Sequence, residues 1–234
     1  MTINQSDNWL IENIKAIEYD VQQALIQSHR APTDCQIMAV TKTVPAQLVN
    51  RAIQSGISLI GENRVQECLS KWDSYQLENA QVHFIGHLQT NKVKSILPKV
   101  SMIESVSSIK LAQEIHKVAK QLEQKQDILL QVNIGKESSK SGFFIEQLPE
   151  ALYLLQQLPN IQIRGLMCIP PKDRTEYYFS QMEQLFFQIQ QQQLDNIIMD
   201  TLSMGMSSDF KLAIKYHSNI VRLGTILFGS RNTI

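Results

Sequence analysis

Cysteine is scarce in this 234-residue sequence: Cys35, Cys68 and Cys168 lie far apart and are odd in number. That excludes a paired disulfide framework and any CxxC zinc or redox motif, and it makes the cytoplasm the expected compartment. Neither sign of charge prevails, because 22 Lys and Arg balance 22 Asp and Glu. With zero net charge there is no global field toward phosphate backbones or anionic membranes, so neither nucleic acid nor membrane is expected as a partner. No stretch approaches the roughly 18 apolar residues of a membrane span. Met1 to Tyr19 carries Asp7 and Glu12 and no apolar secretion core, so export is not expected and the Asn4-Gln5-Ser6 sequon reads as incidental. No Pro-, Gly- or Ser-rich segment marks a domain boundary, so residues 1–234 read as one domain.

What is present is ample core material: 43% of residues are hydrophobic and 19% charged. Leu10, Ile11, Ile14, Ile17, Val21, Ala24 and Leu25 recur at helical spacing, which predicts an opening amphipathic helix from Trp9 to Gln27, within an N-terminal stretch 1–30 that packs on the rest of the domain. Short apolar runs then alternate with longer segments of helical period. The runs are Gln36 to Thr41, Ser58 to Gly61, Val82 to Gly86, Met102 to Val106, Ile128 to Val132, Ile161 to Ile169, Ile197 to Ser203 and Ile220 to Leu223. Helices are expected over Pro45 to Gln54, Ser108 to Gln124, Gln147 to Gln156, Glu176 to Gln192 and Asp209 to Tyr216. The Gln-rich stretch Gln181 to Gln193 keeps a stripe of Leu185, Phe186, Ile189 and Leu194, so it reads as a solvated helix.

Strand alternating with helix implies parallel strands joined by right-handed crossovers. The runs are apolar throughout, as strands covered on both faces must be. A doubly wound open sheet satisfies these observations, but eight units that fill the length favour a single (β/α)8 TIM-type barrel with an extra N-terminal helix.

In such a barrel the chemistry lies where strands run into the following loops. The first strand ends in Thr41-Lys42-Thr43-Val44-Pro45, which puts Lys42 at the mouth. Lys42 is either a solvated lysine at a strand end or a partly desolvated amine able to form a Schiff base with a carbonyl. The second strand ends in Gly61-Glu62-Asn63-Arg64 and the third in Gly86-His87-Leu88-Gln89-Thr90-Asn91-Lys92. His83 and His87 would form a metal pair on a helix, but Val82 to Gly86 reads as a strand, which separates them; no metal is expected. The last two strands run into small-residue loops, Met204 to Asp209 with Ser208 or Asp209 as a helix cap, and Gly224 to Gly229 within a strand drawn from Ile220 to Gly229. Paired loops of this kind hold phosphates in barrels, and helix capping is the plainer alternative for each. Arg222, inside the last strand, needs an acceptor. That acceptor is either a ligand nitrogen or an acid such as Asp200 or Glu62. A phosphate near a carbonyl suggests a phosphosugar or pyridoxal 5'-phosphate (PLP).

Six segments sharpen this choice: Ala39 to Pro45, Gly61 to Glu67, His83 to Lys92, Arg164 to Met167, Leu202 to Ser207 and Val221 to Gly224. By their order and over nearly the whole chain, the sequence resembles the family of PLP-binding, PLP homeostasis proteins with the alanine-racemase N-terminal-domain fold. The resemblance implies PLP as cofactor. It implies Lys42 as the lysine of the internal aldimine, Arg222 facing the pyridine nitrogen, and Ser207 with the backbone of Gly224 and Thr225 cradling the phosphate. Asn63 and Met204 would line the ring, and Lys140 would stand near the mouth. It further implies a role in intracellular PLP (vitamin B6) and amino-acid homeostasis, without firm catalytic activity, with PLP-dependent apoenzymes as recipients. One stretch departs from the pattern: relatives commonly carry Gly-Ser-Thr where this chain has His217-Ser218-Asn219, which requires His217 to accept a positive φ and raises an altered phosphate site.

The resembling racemases draw one base from a further β-domain, whereas this chain ends at Ile234 just after the expected barrel. An arginine facing the ring nitrogen also weakens the electron sink that stabilises a carbanion. Both points favour a monomeric carrier of PLP over a weak PLP-dependent racemase or lyase; a phosphosugar aldolase using the same lysine is the third reading.

Overall fold

The computed structural model describes residues 8–229; the Asn4-Gln5-Ser6 sequon lies outside them. Helix α1 (Asn8–Gln27) buries Leu10, Ile14, Ile17, Val21, Ala24 and Leu25, the expected stripe, and ends before His29 turns into the left-handed region at φ +54°. Eight parallel strands come next and close on themselves: β1 (Gln36–Val40), β2 (Leu59–Glu62), β3 (Gln81–Phe84), β4 (Met102–Val106), β5 (Gln126–Val132), β6 (Ile161–Cys168), β7 (Ile197–Met206) and β8 (Ile220–Leu223), with β1 paired to both β2 and β8. The (β/α)8 barrel with an added N-terminal helix is therefore the observed fold, and closure leaves no strand edge unpaired.

The outer layer is α2 (Ala46–Gln54), α3 (Val65–Lys71), α4 (Val93–Ile96), α5 (Ile109–Gln121), α6 (Leu148–Leu155), α7 (Thr175–Gln190), α8 (Phe210–Lys215) and α9 (Thr225–Phe228). Three of these differ from the sequence reading. Helix α3 buries only Val65 and Cys68, and α4 is one turn long, so neither carries enough apolar positions to show a period. The run Ile220 to Leu223 is β8 as expected, but the longer strand drawn to Gly229 stops there: the backbone turns at Gly224 (φ −117°, ψ −70°) and α9 begins. In α7 the glutamines occupy the outer face, while Phe179, Met182, Leu185, Phe186 and Ile189 are buried.

Helix α1 lies against α8 and α9, with Asn13 Nδ2 donating to the Leu227 carbonyl at 3.1 Å. Arg30 ties the end of this N-terminal segment to the barrel by donating from Nη1 to the carbonyls of Ile214 and Ser218 at 2.9 and 2.8 Å. The main apolar cluster joins the outer faces of the strands to the helices. Two smaller clusters lie in the barrel interior: Met38, Leu59, Ile220 and Ile85, just past the end of β3, on one side, and Met102, Leu129 and Met167 on the other. One close approach is glycine-dependent. At Gly165 (φ +152°) a Cβ would lie 1.8 Å from the Thr201 carbonyl oxygen, and the β6–β7 register shifts at this point.

Among the described residues no helix is long and apolar enough to cross a membrane.

Candidate cofactor site at the barrel mouth

Strand register gathers most of the expected site residues. Val40 pairs with Gly61, so Lys42 and Asn63 each stand two residues beyond the same rung at the C-terminal ends of β1 and β2. Met206 pairs with Arg222, which places Ser207 beside Leu223 and Gly224. Ala39 pairs with Leu223, which brings Gly224 and Thr225 next to the end of β1. Ser207, Gly224, Thr225, Lys42 and Asn63 thus line four consecutive strand ends, β7, β8, β1 and β2. Lys140 lies across the mouth in the loop after β5, donating to the Ile169 carbonyl at 3.3 Å and paired with Glu137. Met204 is fully buried in the main apolar cluster, so its side chain is not gathered with the others.

Met38 and Val40 belong to an interior cluster, and the two-residue period of a strand carries Lys42 to the same side at the mouth. Lys42 is half-buried, and among the described residues its amine has neither a hydrogen-bond nor an ion-pair partner. Its neighbours are held from both sides. The Thr41 hydroxyl donates to Glu62 Oε1 at 2.6 Å, and the Thr43 N–H donates to Glu67 Oε1 at 2.6 Å. Lys71 Nζ, from the end of α3, donates to the Thr41 carbonyl at 3.1 Å and stands 2.8 Å from Glu62 and 3.0 Å from Glu67. Thr43 has φ +62°, a costly conformation for a β-branched residue. Such strain persists only where surrounding bonds over-determine it, and Glu67 supplies one at that N–H. Glu62 is fully buried; it also accepts from the Tyr75 hydroxyl at 2.5 Å, and burial together with that carboxylate pushes the Tyr75 hydroxyl upward.

Arg222 takes neither of the acids that its sequence position offered. It is 4% exposed and pairs with neither Asp200 nor Glu62: Asp200 binds Arg164, and Glu62 binds Lys71. Instead Nη2 donates to the Cys168 carbonyl and Nη1 to Ser203 Oγ, both at 2.7 Å. Behind Ser203 the interior holds Glu104, fully buried, which accepts from the Ser203 hydroxyl at 2.6 Å and bonds His83 Nδ1 at 2.7 Å. Burial alone would raise the Glu104 carboxyl. The hydrogen bond and charge of His83, the charge of Arg222 and the Ser203 hydroxyl outweigh it and bring the carboxyl below its ordinary value. Sequence reasoning misses Glu104 and Ser203 and weighs His83 only as a metal ligand. The available signal is an acid at the centre of the run Met102 to Val106, a position that burial forbids unless the group is paired.

At the loop after β7, Asp209 sits at the start of α8 but does not cap it: its carboxylate accepts the Met206 N–H at 2.6 Å, closing the turn that presents Ser207. In α9 the first bonds come from the N–H groups of Leu227 and Phe228 to the Gly224 carbonyl, so the N–H groups before them point past the helix start. The segment His217-Ser218-Asn219 lies elsewhere. It precedes β8, at the opposite end of that strand from Gly224 and Thr225. His217 does adopt φ +60°, held by Glu183 at 2.5 Å and by the edge of Phe187, while Asn219 Oδ1 accepts the Leu202 N–H at 2.8 Å. The departure from the family pattern is therefore a matter of barrel-floor structure.

A cavity of about 270 Å³ opens at the mouth between Asn63, Gly86, His87, Asn133 and Lys140. Asn63 Oδ1 is buried there without a partner, and a Cβ at Gly86 would meet the Asn63 carbonyl oxygen at 1.8 Å. A larger cleft, about 740 Å³, runs where α1 meets Ser207 to Leu212. Burial pushes the thiols of Cys35, Cys68 and Cys168 up to about 12, which removes them as nucleophiles near neutral pH.

The model of the alanine racemase N-terminal domain family matches residues 13–232. A pyridoxal phosphate homeostasis protein of Aquifex aeolicus is 38% identical over 224 residues, covering 94% of this chain and 97% of that protein. The chain belongs to this family. Its pyridoxal phosphate homeostasis members resemble it over nearly their full length, in Pasteurella multocida at 35% identity over 227 residues. Among solved structures, PipY of Synechococcus elongatus with PLP bound is 33% identical with a TM-score of 0.78, covering 89% of this chain and all of that one.

Proposed function

We propose that this chain binds PLP reversibly and serves intracellular PLP and amino-acid homeostasis, with Lys42 as the attachment point. The observation that carries this reading is the half-buried amine of Lys42, without a partner among the described residues, set in register with Asn63 and beside the strand that carries Arg222. The cofactor supplies an aldehyde that joins an amine as a Schiff base, a ring nitrogen that accepts a hydrogen bond, and a phosphate. The residues present fit those three groups. Lys42 offers the amine, and its turn is held by Glu62, Glu67 and Lys71. Arg222 uses one N–H on each terminal nitrogen, two of its five donors, and keeps others for a ring nitrogen. Ser207 with the N–H groups of Gly224 and Thr225 forms the phosphate end, and Asn63 adds a side chain with an unfilled bonding site.

As a group that only donates, the Arg222 guanidinium would favour an unprotonated ring nitrogen, which would suit holding the cofactor better than activating it as an electron sink. The reading extends to a monomeric, cytoplasmic protein that passes PLP to apoenzymes. Its test is borohydride reduction of protein incubated with PLP, then peptide mapping. The label should fall on Lys42 and be lost in Lys42→Ala. Label on another lysine, or none on the wild type, would refute the assignment.

A further inference from the structure

The cluster behind Arg222 is the least expected feature of the molecule. Four polar side chains from four strands, Arg222 on β8, Ser203 on β7, Glu104 on β4 and His83 on β3, meet inside a barrel otherwise filled by methionine, leucine and isoleucine. Each is at least nine-tenths buried. The direction of every bond is fixed by the chemistry of its donors. Guanidinium only donates and an ionised carboxylate only accepts, so the Ser203 proton must point at Glu104 Oε2 and a Ser203 lone pair at Arg222 Nη1. For the same reason His83 Nδ1 carries the proton in its bond to Glu104 Oε1.

We infer that His83, Glu104 and Ser203 are positioning residues for Arg222: they hold its guanidinium in one orientation and pass the charge of Glu104 to it through the Ser203 hydroxyl, which sets how strongly it grips the ring nitrogen of PLP. The inference rests on the PLP-binding reading. Three physical points support it. A long arginine side chain otherwise loses much rotamer freedom when it binds a ligand, and fixing it beforehand removes that cost from the binding step. Hydrogen bonds that include an ionised partner are about twice as strong as neutral ones, so the carboxylate makes the chain stiffer than a serine alone. In the low-dielectric interior, a charge one hydroxyl away is felt far more than it would be in water. The second bond, from Nη2 to the Cys168 carbonyl, closes the plane so that the guanidinium cannot swing about the Ser203 contact.

The test compares PLP with its 1-deaza analogue, in which C–H replaces the ring nitrogen, by titrating both into wild type, Glu104→Gln and Ser203→Ala and monitoring the visible band of the bound cofactor. Glu104→Gln keeps the shape and removes the charge; Ser203→Ala cuts the bridge. Each should weaken PLP binding by about tenfold and shift its absorption maximum, yet leave binding of the deaza analogue within about twofold. A role confined to holding the barrel together would penalise both ligands alike, and that result overturns the inference. Equal binding of PLP by wild type and both variants overturns it as well. If Glu104→Gln does not fold, as judged by circular dichroism, Ser203→Ala decides the matter alone. A wild type that binds neither ligand overturns the PLP reading itself and this inference with it.

Discussion

Lys71 is the residue whose removal should show most clearly how the lysine turn is held. Its ammonium lies between Glu62 at 2.8 Å and Glu67 at 3.0 Å and also donates to the Thr41 carbonyl. Its side chain is 12% exposed and that of Glu62 is fully buried, so water screens the pair poorly. Lys71→Met keeps most of the apolar stem but leaves Glu62 as a buried charge without a cation. Breaking a buried pair on one side costs about 3 to 5 kcal/mol, whereas removing both charges is nearly neutral. The single variant should therefore lose about 3 kcal/mol or more in urea denaturation monitored by circular dichroism, with an unchanged slope. Adding Glu62→Gln, which still accepts from Thr41 and Tyr75, should restore most of that loss. The coupling between the two sites, read from the double-mutant cycle, is the decisive quantity. A Lys71→Met protein within about 1 kcal/mol of wild type, or a double variant no better than the single, would refute the reasoning.

The Glu104 carboxyl is held below its ordinary value, so its contribution to stability is present above the unfolded carboxylate value, near pH 4.3, and is lost as pH falls through its folded value. The stability difference between wild type and Glu104→Gln should accordingly be largest near neutral pH and shrink toward pH 3, as measured by denaturation at both; a constant difference contradicts the assignment. Gly165→Ala should cost on the order of 3 kcal/mol or prevent folding, because its Cβ would strike the Thr201 carbonyl at 1.8 Å in addition to the strain at φ +152°. Gly229→Ala, with nothing within 4 Å of its Cβ at φ +85°, should cost only about 1 kcal/mol, so equal melting temperatures for the two variants would count against this account.

The sequence alone determined the fold class, because that information is local. Eight apolar runs separated by helical periods read the same before and after folding, and the run Met102 to Val106 coincides with β4. It also determined which segments end the strands, so Lys42 and the loops after the second, seventh and eighth strands stood out by position, while the individual roles of Asn63, Ser207 and Gly224 came from the resemblance. Its errors fall where local pattern carries little: α3 and α4 are too short to show a period, and the turn at Gly224 is hidden inside a continuous apolar run. Only the tertiary structure decided what faces what. Parallel pairing and barrel closure set Lys42 beside Asn63 and close to Gly224. They also brought Glu104 within one hydroxyl of Arg222, two residues more than a hundred positions apart in the chain. No spacing rule reaches across that separation, because it is strand tilt and closure, not sequence distance, that choose which side chains share the interior of a barrel.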